Sequence, residues 1–143
     1  MTVQDLSLQQ LVEKGGFAFG EEGFKRYLKT PEKGRLIYSP KNFLGAHLVA
    51  GQKAAFVGMI AKQLAYFRQS AQQQLNKIVD TAVIGRPVKF HGTRGEEGNN
   101  QALEIMAEAA KAAGFTHIEF LEEPIAAAYK IEPNLAKPTN VLV

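Results

Sequence analysis

The fold is decided by the stretch Phe120-Leu121-Glu122-Glu123-Pro124-Ile125-Ala126-Ala127-Ala128. Its apolar start predicts a short buried strand, and the proline and alanines that follow predict a helix. Proline suits the first turn of a helix, because the N–H that it lacks would have no intrahelical partner there. The sequence therefore predicts a strand-to-helix corner that carries two adjacent acids, Glu122 and Glu123.

Two roles are open for Glu123 at this corner. Ligands of open α/β sheets collect where strands end and helices begin, so its carboxylate is a candidate for contacting a metal ion or a metal-bound water. The alternative is a helix cap, because the helix dipole favours a carboxylate in the first turn. The corner taken alone favours the cap.

The composition indicates a folded domain or one large piece of a domain. The chain has 143 residues, of which 45% are hydrophobic and 22% charged, and this balance argues against disorder. It contains no cysteine, which excludes disulfides and favours a reducing cytoplasm. The start of the chain, Met1-Thr2-Val3-Gln4-Asp5, lacks the pattern of a signal peptide, and no stretch has the length of a membrane span. We therefore predict a soluble, cytoplasmic protein with no membrane partner.

Basic side chains are concentrated in the first half of a chain whose net charge is +3. Such a cluster can contact the phosphates of a nucleotide or of nucleic acid. The alternative, a solvated helix face, is favoured because the nearby aromatic residues fall at core spacing and form no stacking platform. No nucleic-acid partner is therefore expected. The members of the cluster are Lys25, Arg26, Lys29, Lys33, Arg35 and Lys41.

Residues 1–80 predict a mostly helical part of the chain. The longest helix carries an apolar stripe at steps of three and four, which suits either a coiled-coil seam or packing on a sheet, and neighbouring strand signals favour packing. Its members are Phe56, Ile60, Leu64, Phe67, Ala71 and Leu75. The predicted elements are helices over residues 4–14, 21–29 and about 53–76, and short strands at Phe17-Ala18-Phe19 and Leu36-Ile37-Tyr38.

Residues 81–143 predict strands that alternate with helices. An apolar run from Thr81 must end, bulge or reach the sheet edge at Pro87, which cannot donate to a ladder. After a polar loop, Asn99 and Asn100 predict the start of a helix and Gly114 its left-handed stop. The apolar positions of this helix are Ala102, Ile105, Met106, Ala109, Ala110 and Ala113.

A strand from His117 to Leu121 follows, and then the helix at Pro124. The run Val141-Leu142-Val143 predicts the start of another strand, so we expect the chain to be a fragment of a longer protein. Strand–helix–strand order implies right-handed crossovers. The predicted fold class is therefore α/β, with a largely parallel sheet and packed helices.

Several well-known nucleotide-binding, metal-binding and catalytic motifs are missing from the sequence. It has neither a Gly-x-x-x-x-Gly-Lys-Ser/Thr loop nor a Gly-x-Gly-x-x-Gly motif after a strand. The glycine-rich segment over residues 92–98 contains two acids that would repel a phosphate. The three histidines are not at metal-ligand spacing, and no serine lies in a nucleophile elbow.

Three segments, taken in order, point to a family. The first segment consists of Phe19-Gly20-Glu21-Glu22, then Thr30-Pro31, then Lys41-Asn42-Phe43-Leu44-Gly45. The second is Ala82-Val83-Ile84-Gly85-Arg86-Pro87-Val88-Lys89-Phe90. The third consists of Ala112-Ala113-Gly114 followed by Glu123-Pro124-Ile125-Ala126-Ala127-Ala128. From about Gly16 onward they resemble the nucleotide-binding domain of the seventy-kilodalton heat-shock chaperones, the DnaK type. The second and third are similar to the family's Ala-Val-Ile-Thr-Val-Pro-Ala-Tyr-Phe and Asn-Glu-Pro-Thr-Ala-Ala-Ala. Two variants of the family's motifs, Gly85-Arg86-Pro87 and Ser39-Pro40-Lys41-Asn42-Phe43-Leu44-Gly45, most resemble a divergent bacterial branch, the YegD-like proteins.

The resemblance implies that residues 1–143 are part of an actin-like ATPase domain of the ribonuclease H-like fold. It implies ATP and Mg²⁺ as cofactors of the full-length protein, and unfolded clients or co-chaperones as partners. Lys41 falls on the lysine that approaches the γ-phosphate and the attacking water, and its alternative is a surface lysine. Glu123 falls on the glutamate near hydrated Mg²⁺, which it reaches through water. Pro87 falls on the proline that relays the nucleotide state between domains, and its alternative is a strand terminator.

The chain departs from the family pattern at several positions. The arginine that partners the switch proline falls on Leu103, and Arg94 lies in a longer loop. Residue Glu122 stands where the family shows asparagine. The resemblance places the family's phosphate loops before Met1 and after Val143, so only a side wall of the nucleotide cleft is expected here.

Three functions follow from the sequence. The first is an ATP-binding, DnaK-like chaperone fragment that hydrolyses ATP only within the full-length protein. The second is an actin-like filament or interaction scaffold without ATPase activity, which the missing arginine favours. The third and least favoured is nucleic-acid binding through the basic cluster, for which a steep loss of binding with salt is diagnostic.

Overall fold

Two parallel strands and the helix that connects them form the centre of the fold. The computed structural model describes residues 15–92, 94–134 and 136–137. Strand β1 (Thr81–Arg86) pairs with β2 (His117–Glu122), from Thr81 opposite His117 to Arg86 opposite Glu122. Helix α3 (Gly95–Ala112) connects the two strands. The chain is therefore α/β with a parallel sheet, as predicted.

The remaining helices flank this unit. Helix α1 is Gly20–Lys29, α2 is Ala50–Leu75 and α4 is Glu123–Ile131, with single 3₁₀ turns at Pro31–Lys33, Pro40–Phe43 and Glu132–Asn134. None of the helices in the described part of the chain has the length and apolar character needed to cross a membrane. The helix predicted over residues 4–14 and the strand at residues 141–143 lie outside the described residues.

The core lies between α2 and α3. All six apolar positions that the sequence assigns to the α3 region are buried, and Ala102, Ala109 and Ala110 are fully inaccessible. Small side chains on this face let the two helices approach closely. On α2, Phe56 and Ile60 are buried.

The predicted stripe of α2 is therefore buried only in part. Leu64 is half-buried against the core, while Phe67 is 51% exposed and Leu75 57% exposed. The helix was predicted to pack on a sheet, but its main partner is α3. Ile84 of β1 and Phe120 of β2 pack against the same core.

The two short strands predicted before α2 are absent, and that prediction was wrong. Residues 17–19 are irregular, because their rings anchor the chain to α2: Phe19 lies 5.1 Å from Tyr66 between ring centroids. Residues 36–38 are also irregular, and Tyr38 is 83% exposed. The sheet in the described residues consists of β1 and β2 alone, so neither segment has a partner strand.

Helix α3 begins earlier than predicted, at Gly95 and not at Asn99 or Asn100. Glu96 and Glu97 occupy its first turn, where the helix dipole favours acids. The side chain of Asn99 does not cap the helix, because its Oδ1 accepts the Phe90 N–H at 2.8 Å.

The predicted end of α3 is confirmed. Gly114 adopts a left-handed conformation with φ of 97°, and the N–H of Phe115 donates to the carbonyl of Ala110 at 3.1 Å. This geometry satisfies carbonyls that the last turn of a helix leaves without intrahelical partners. Glycine is favoured there because it has no Cβ.

Candidate functional site

The candidate site lies where both strands end. Strand β1 ends at Arg86, immediately before Pro87, and β2 ends at Glu122, immediately before α4. An open cleft of about 500 Å³ lies beside this edge. Its lining includes Lys41, Ile60, Leu64, Phe67, Gly85 and Glu123. The carboxyl ends of parallel strands are the usual ligand side of such sheets.

Lys41 and Glu123 meet in this cleft, although they lie 82 positions apart in the sequence. The ammonium of Lys41 forms an ion pair with Glu123 Oε1 and donates to the carbonyl of Gly85 at 3.4 Å. Their side chains are 35% and 49% exposed, so both charged groups remain accessible from the cleft. A cation that faces solvent beside a carboxylate can bind an anionic group and orient a water molecule.

Lys41 is positioned by a short turn that α3 holds in place. It lies in the 3₁₀ turn Pro40–Phe43, which is followed by the fully buried Leu44. Gln101 of α3, only 5% exposed, donates from Nε2 to the carbonyl of Leu44 at 2.8 Å and to that of Ala46 at 2.9 Å. The helix thereby fixes the segment that carries Lys41.

Glu123 is the first residue of α4, and Pro124 follows it in the first turn as predicted. No side chain makes a capping hydrogen bond at the start of this helix. The carboxylate of Glu123 instead reaches across to Lys41, so the simple cap does not describe it, although its place near the positive end of the helix dipole remains favourable. A Cβ on Gly85 would lie 3.4 Å from Glu123 Cγ, so the glycine leaves room for this carboxylate.

A second ion pair lies beside the first. Arg86 Nη2 donates to Glu122 Oε1 at 2.7 Å, and the two residues are register partners at the ends of the strands. The adjacent acids of the corner therefore each have a cation of their own. Glu122, which stands where the resemblance expects asparagine, is matched by Arg86 on the neighbouring strand.

The sequence did not identify Gly85, Arg86 or Gln101 as parts of the site. A charged residue at the end of each apolar strand was a usable signal for Arg86 and Glu122. Their contact depends on the register, which pairs Arg86 with Glu122 only once the strands are aligned. Gln101 gave no signal, because its partners lie 57 and 55 positions earlier in the chain.

Pro87 directly follows β1, so it ends the strand as the sequence predicted. Leu103 is half-buried and packs against the core, where it contributes no polar group. Arg94 forms an ion pair with Glu97 and donates to Gln101 Oε1 at 2.9 Å, both on α3. The relay role of Pro87 stays a prediction.

Part of the basic cluster is neutralised by neighbouring acids. On α1, Lys25 lies 2.7 Å from Glu21 and Arg26 lies 3.0 Å from Glu22, each pair one helical turn apart. Lys41 is paired with Glu123. The contacts on α1 favour a solvated helix face for Lys25 and Arg26, whereas Lys41 lies in the cleft.

Within residues 15–92, 94–134 and 136–137, no three His, Asp or Glu side chains are close enough together to hold a metal ion. Glu123 offers the cleft one carboxylate, which suits contact with a hydrated cation through water. Compared with known protein families, the sequence matches none of the family models.

Proposed function

We propose that this chain forms one wall of the ATP-binding cleft of a DnaK-like chaperone with an actin-like ATPase fold, related to the YegD-like branch. The observation that carries the proposal is the ion pair between Lys41 and Glu123. The resemblance assigns these residues separately to one nucleotide site, and they lie 82 positions apart in the chain. Their meeting at the carboxyl ends of parallel strands supports a shared ligand site.

In this proposal, Lys41 is the catalytic residue. Its ammonium is a compact point charge that stabilises negative charge on the γ-phosphate and orients the attacking water. Glu123 holds the ammonium in place, and its carboxylate would be the group that contacts hydrated Mg²⁺ through water. When bound, Mg²⁺ would neutralise phosphate charge, and the described side chains fit such an ion only through water.

The test is ATP turnover by the intact protein that contains this chain. Lys41→Ala should lower kcat on the order of a hundredfold, the usual effect of removing one group that stabilises transition-state charge, and change KM much less. Lys25→Ala is the matched control, because Lys25 also pairs with a glutamate but lies on α1. An unchanged kcat for Lys41→Ala would contradict the catalytic assignment, and absence of ATP binding by the wild type would contradict the whole proposal.

A second function is favoured by Leu103. Its aliphatic side chain packs against the core at the position where the resemblance expects the relay arginine. A protein without that relay suits an actin-like filament or scaffold that does not hydrolyse ATP. Sedimentation at increasing concentration with and without ATP separates the two: growth of large assemblies favours the scaffold, and a constant small species favours the chaperone.

A further inference from the structure

Arg86 connects three groups at the edge of the sheet that carries the candidate site. Its Nη2 donates to Glu122 Oε1 at 2.7 Å, and its Nη1 donates to the carbonyls of Pro87 at 3.1 Å and Val88 at 3.3 Å. One guanidinium therefore joins the end of β2 to the backbone that leaves β1.

Both neighbours of this connection belong to the Lys41–Glu123 site. Glu122 is bonded directly to Glu123, and Gly85, which precedes Arg86, accepts a hydrogen bond from Lys41 at 3.4 Å. A shift of either strand end would move one partner of the ion pair relative to the other. The position of Arg86 thus bears on the site without any contact with Lys41 or Glu123 being required.

The contacts suit arginine better than lysine. A guanidinium has donors in a fixed planar fork and can serve a carboxylate and backbone carbonyls together, whereas a lysine ammonium acts as a point charge. The side chains of Arg86 and Glu122 are 25% and 33% exposed, so solvent screens this pair less than it screens the pairs on α1.

We propose that Arg86 is a positioning residue, which clamps the Pro87–Val88 backbone to the end of β2 and thereby holds the corner from which Glu123 reaches Lys41. The inference rests on the proposed function for its kinetic consequence, because the held pair is the proposed catalytic site. Its structural consequence can be tested without any nucleotide.

The first experiment is hydrogen exchange on the full chain without nucleotide. In Arg86→Gln, exchange should rise roughly fivefold, the effect of losing about one hydrogen bond, in two peptides covering residues 84–90 and 119–126. Arg26→Gln is the control, because Arg26 also pairs with a glutamate, Glu22 at 3.0 Å, but lies on α1. It should leave the 119–126 peptide unchanged. If Arg86→Gln also leaves that peptide unchanged, the clamp is refuted.

A second measurement tests whether Arg86 couples the Lys41–Glu123 ion pair to the backbone at the end of β1. Lys41→Met breaks the ion pair with Glu123 and should raise exchange in the 84–90 peptide roughly threefold when Arg86 is present. In the Arg86→Gln background the same change should have less than about half that effect. Equal effects in both backgrounds would mean that Arg86 carries no coupling. Should Arg86→Gln fail to fold, Glu122→Gln removes the ion pair alone and provides the same comparison.

The kinetic test uses the intact protein. Arg86→Gln should lower kcat about tenfold with KM changed less than about twofold, because only the alignment of the catalytic pair is lost. Arg86→Lys, which keeps the charge opposite Glu122 but lacks the fork, should recover part of kcat. No loss of kcat in Arg86→Gln would overturn the positioning role. An intact protein that binds no ATP, but in which Arg86→Gln raises exchange in both peptides, would refute the proposed function and leave the clamp standing.

Discussion

Gln101 is the residue through which α3 holds the turn that carries Lys41. Its amide uses both ends: Nε2 donates to the carbonyls of Leu44 and Ala46, and Oε1 accepts from Arg94 Nη1 at 2.9 Å. A polar side chain that is 5% exposed and fully bonded is costly to replace, because its partners would lose their hydrogen bonds inside the protein.

We expect Gln101→Leu to lower the free energy of unfolding by about 2–3 kcal/mol, since the carbonyls of Leu44 and Ala46 would be left without their donor. Urea denaturation followed by circular dichroism measures this change. Gln73→Leu, at an exposed position of α2, is the control and should change stability by less than about 0.5 kcal/mol. An equal, small effect of both variants would mean that water replaces the lost donor and that Gln101 does not hold the turn.

At the level of elements, the sequence predicted helix and strand ends best where turn residues and the pattern of apolar positions indicate the same structure. The six apolar positions of the α3 region are all buried, and Gly114 and Pro87 end their elements as expected. The start of α3 was missed because Asn99 bonds to Phe90, a contact that spacing in the sequence does not reveal. The absent strands at residues 17–19 and 36–38 had apolar residues but no partner strand.

The site was predictable to a smaller extent than the fold. Lys41 and Glu123 were identified by resemblance, and the structure brings them together. Arg86 and Gln101 depend on strand register and on contacts between distant segments, which a single sequence does not specify. Residues that hold the segments of the cleft together are therefore harder to find from sequence than residues that a family resemblance identifies.

The end of α3 allows a prediction that separates two costs of adding a methyl group. Gly114 has φ of 97°, and a Cβ there would lie 2.8 Å from Arg68 Nη1. Arg68 cannot move freely, because its Nε donates to the carbonyl of Val79 at 2.7 Å. We expect Gly114→Ala to lower the free energy of unfolding by about 2 kcal/mol, from backbone strain and from this close contact.

Gly95→Ala is the matched control for this prediction. Gly95 also has positive φ, 54°, but a Cβ there would meet nothing within 4 Å. It should therefore show the backbone cost alone, about 1 kcal/mol, in the same urea titration. If both variants lose equal stability, Arg68 yields to the added methyl group and its bond to Val79 does not hold it.

On the scale of the whole molecule, the candidate site is assembled from three separate parts of the chain. Lys41 comes from the turn before α2, Gly85 and Arg86 from the end of β1, and the two acids from the end of β2 and the start of α4. The parallel pairing of β1 and β2 sets the distance between the second and the third of these parts. The cleft between them is open, with apolar side chains of α2 along one side.

This architecture predicts weak nucleotide binding by the 143-residue chain on its own. Tight binding of ATP requires backbone N–H groups that surround the phosphates, and the sequence contains no glycine-rich loop of that kind. The glycine-rich segment before α3 leads into Glu96 and Glu97, whose charges oppose a phosphate. Lys41 is already paired with Glu123, so part of its attraction for an anion is offset.

Titration calorimetry with Mg·ATP measures this directly. We expect a Kd weaker than about 1 mM, equivalent to less than about 4 kcal/mol of binding free energy, and a further loss in Lys41→Ala. Binding that is weak but lost in Lys41→Ala would support a partial nucleotide site, because the remaining affinity would then depend on the proposed catalytic cation. Micromolar binding that requires Mg²⁺ would contradict the prediction, because these residues would then hold the phosphates without a phosphate loop.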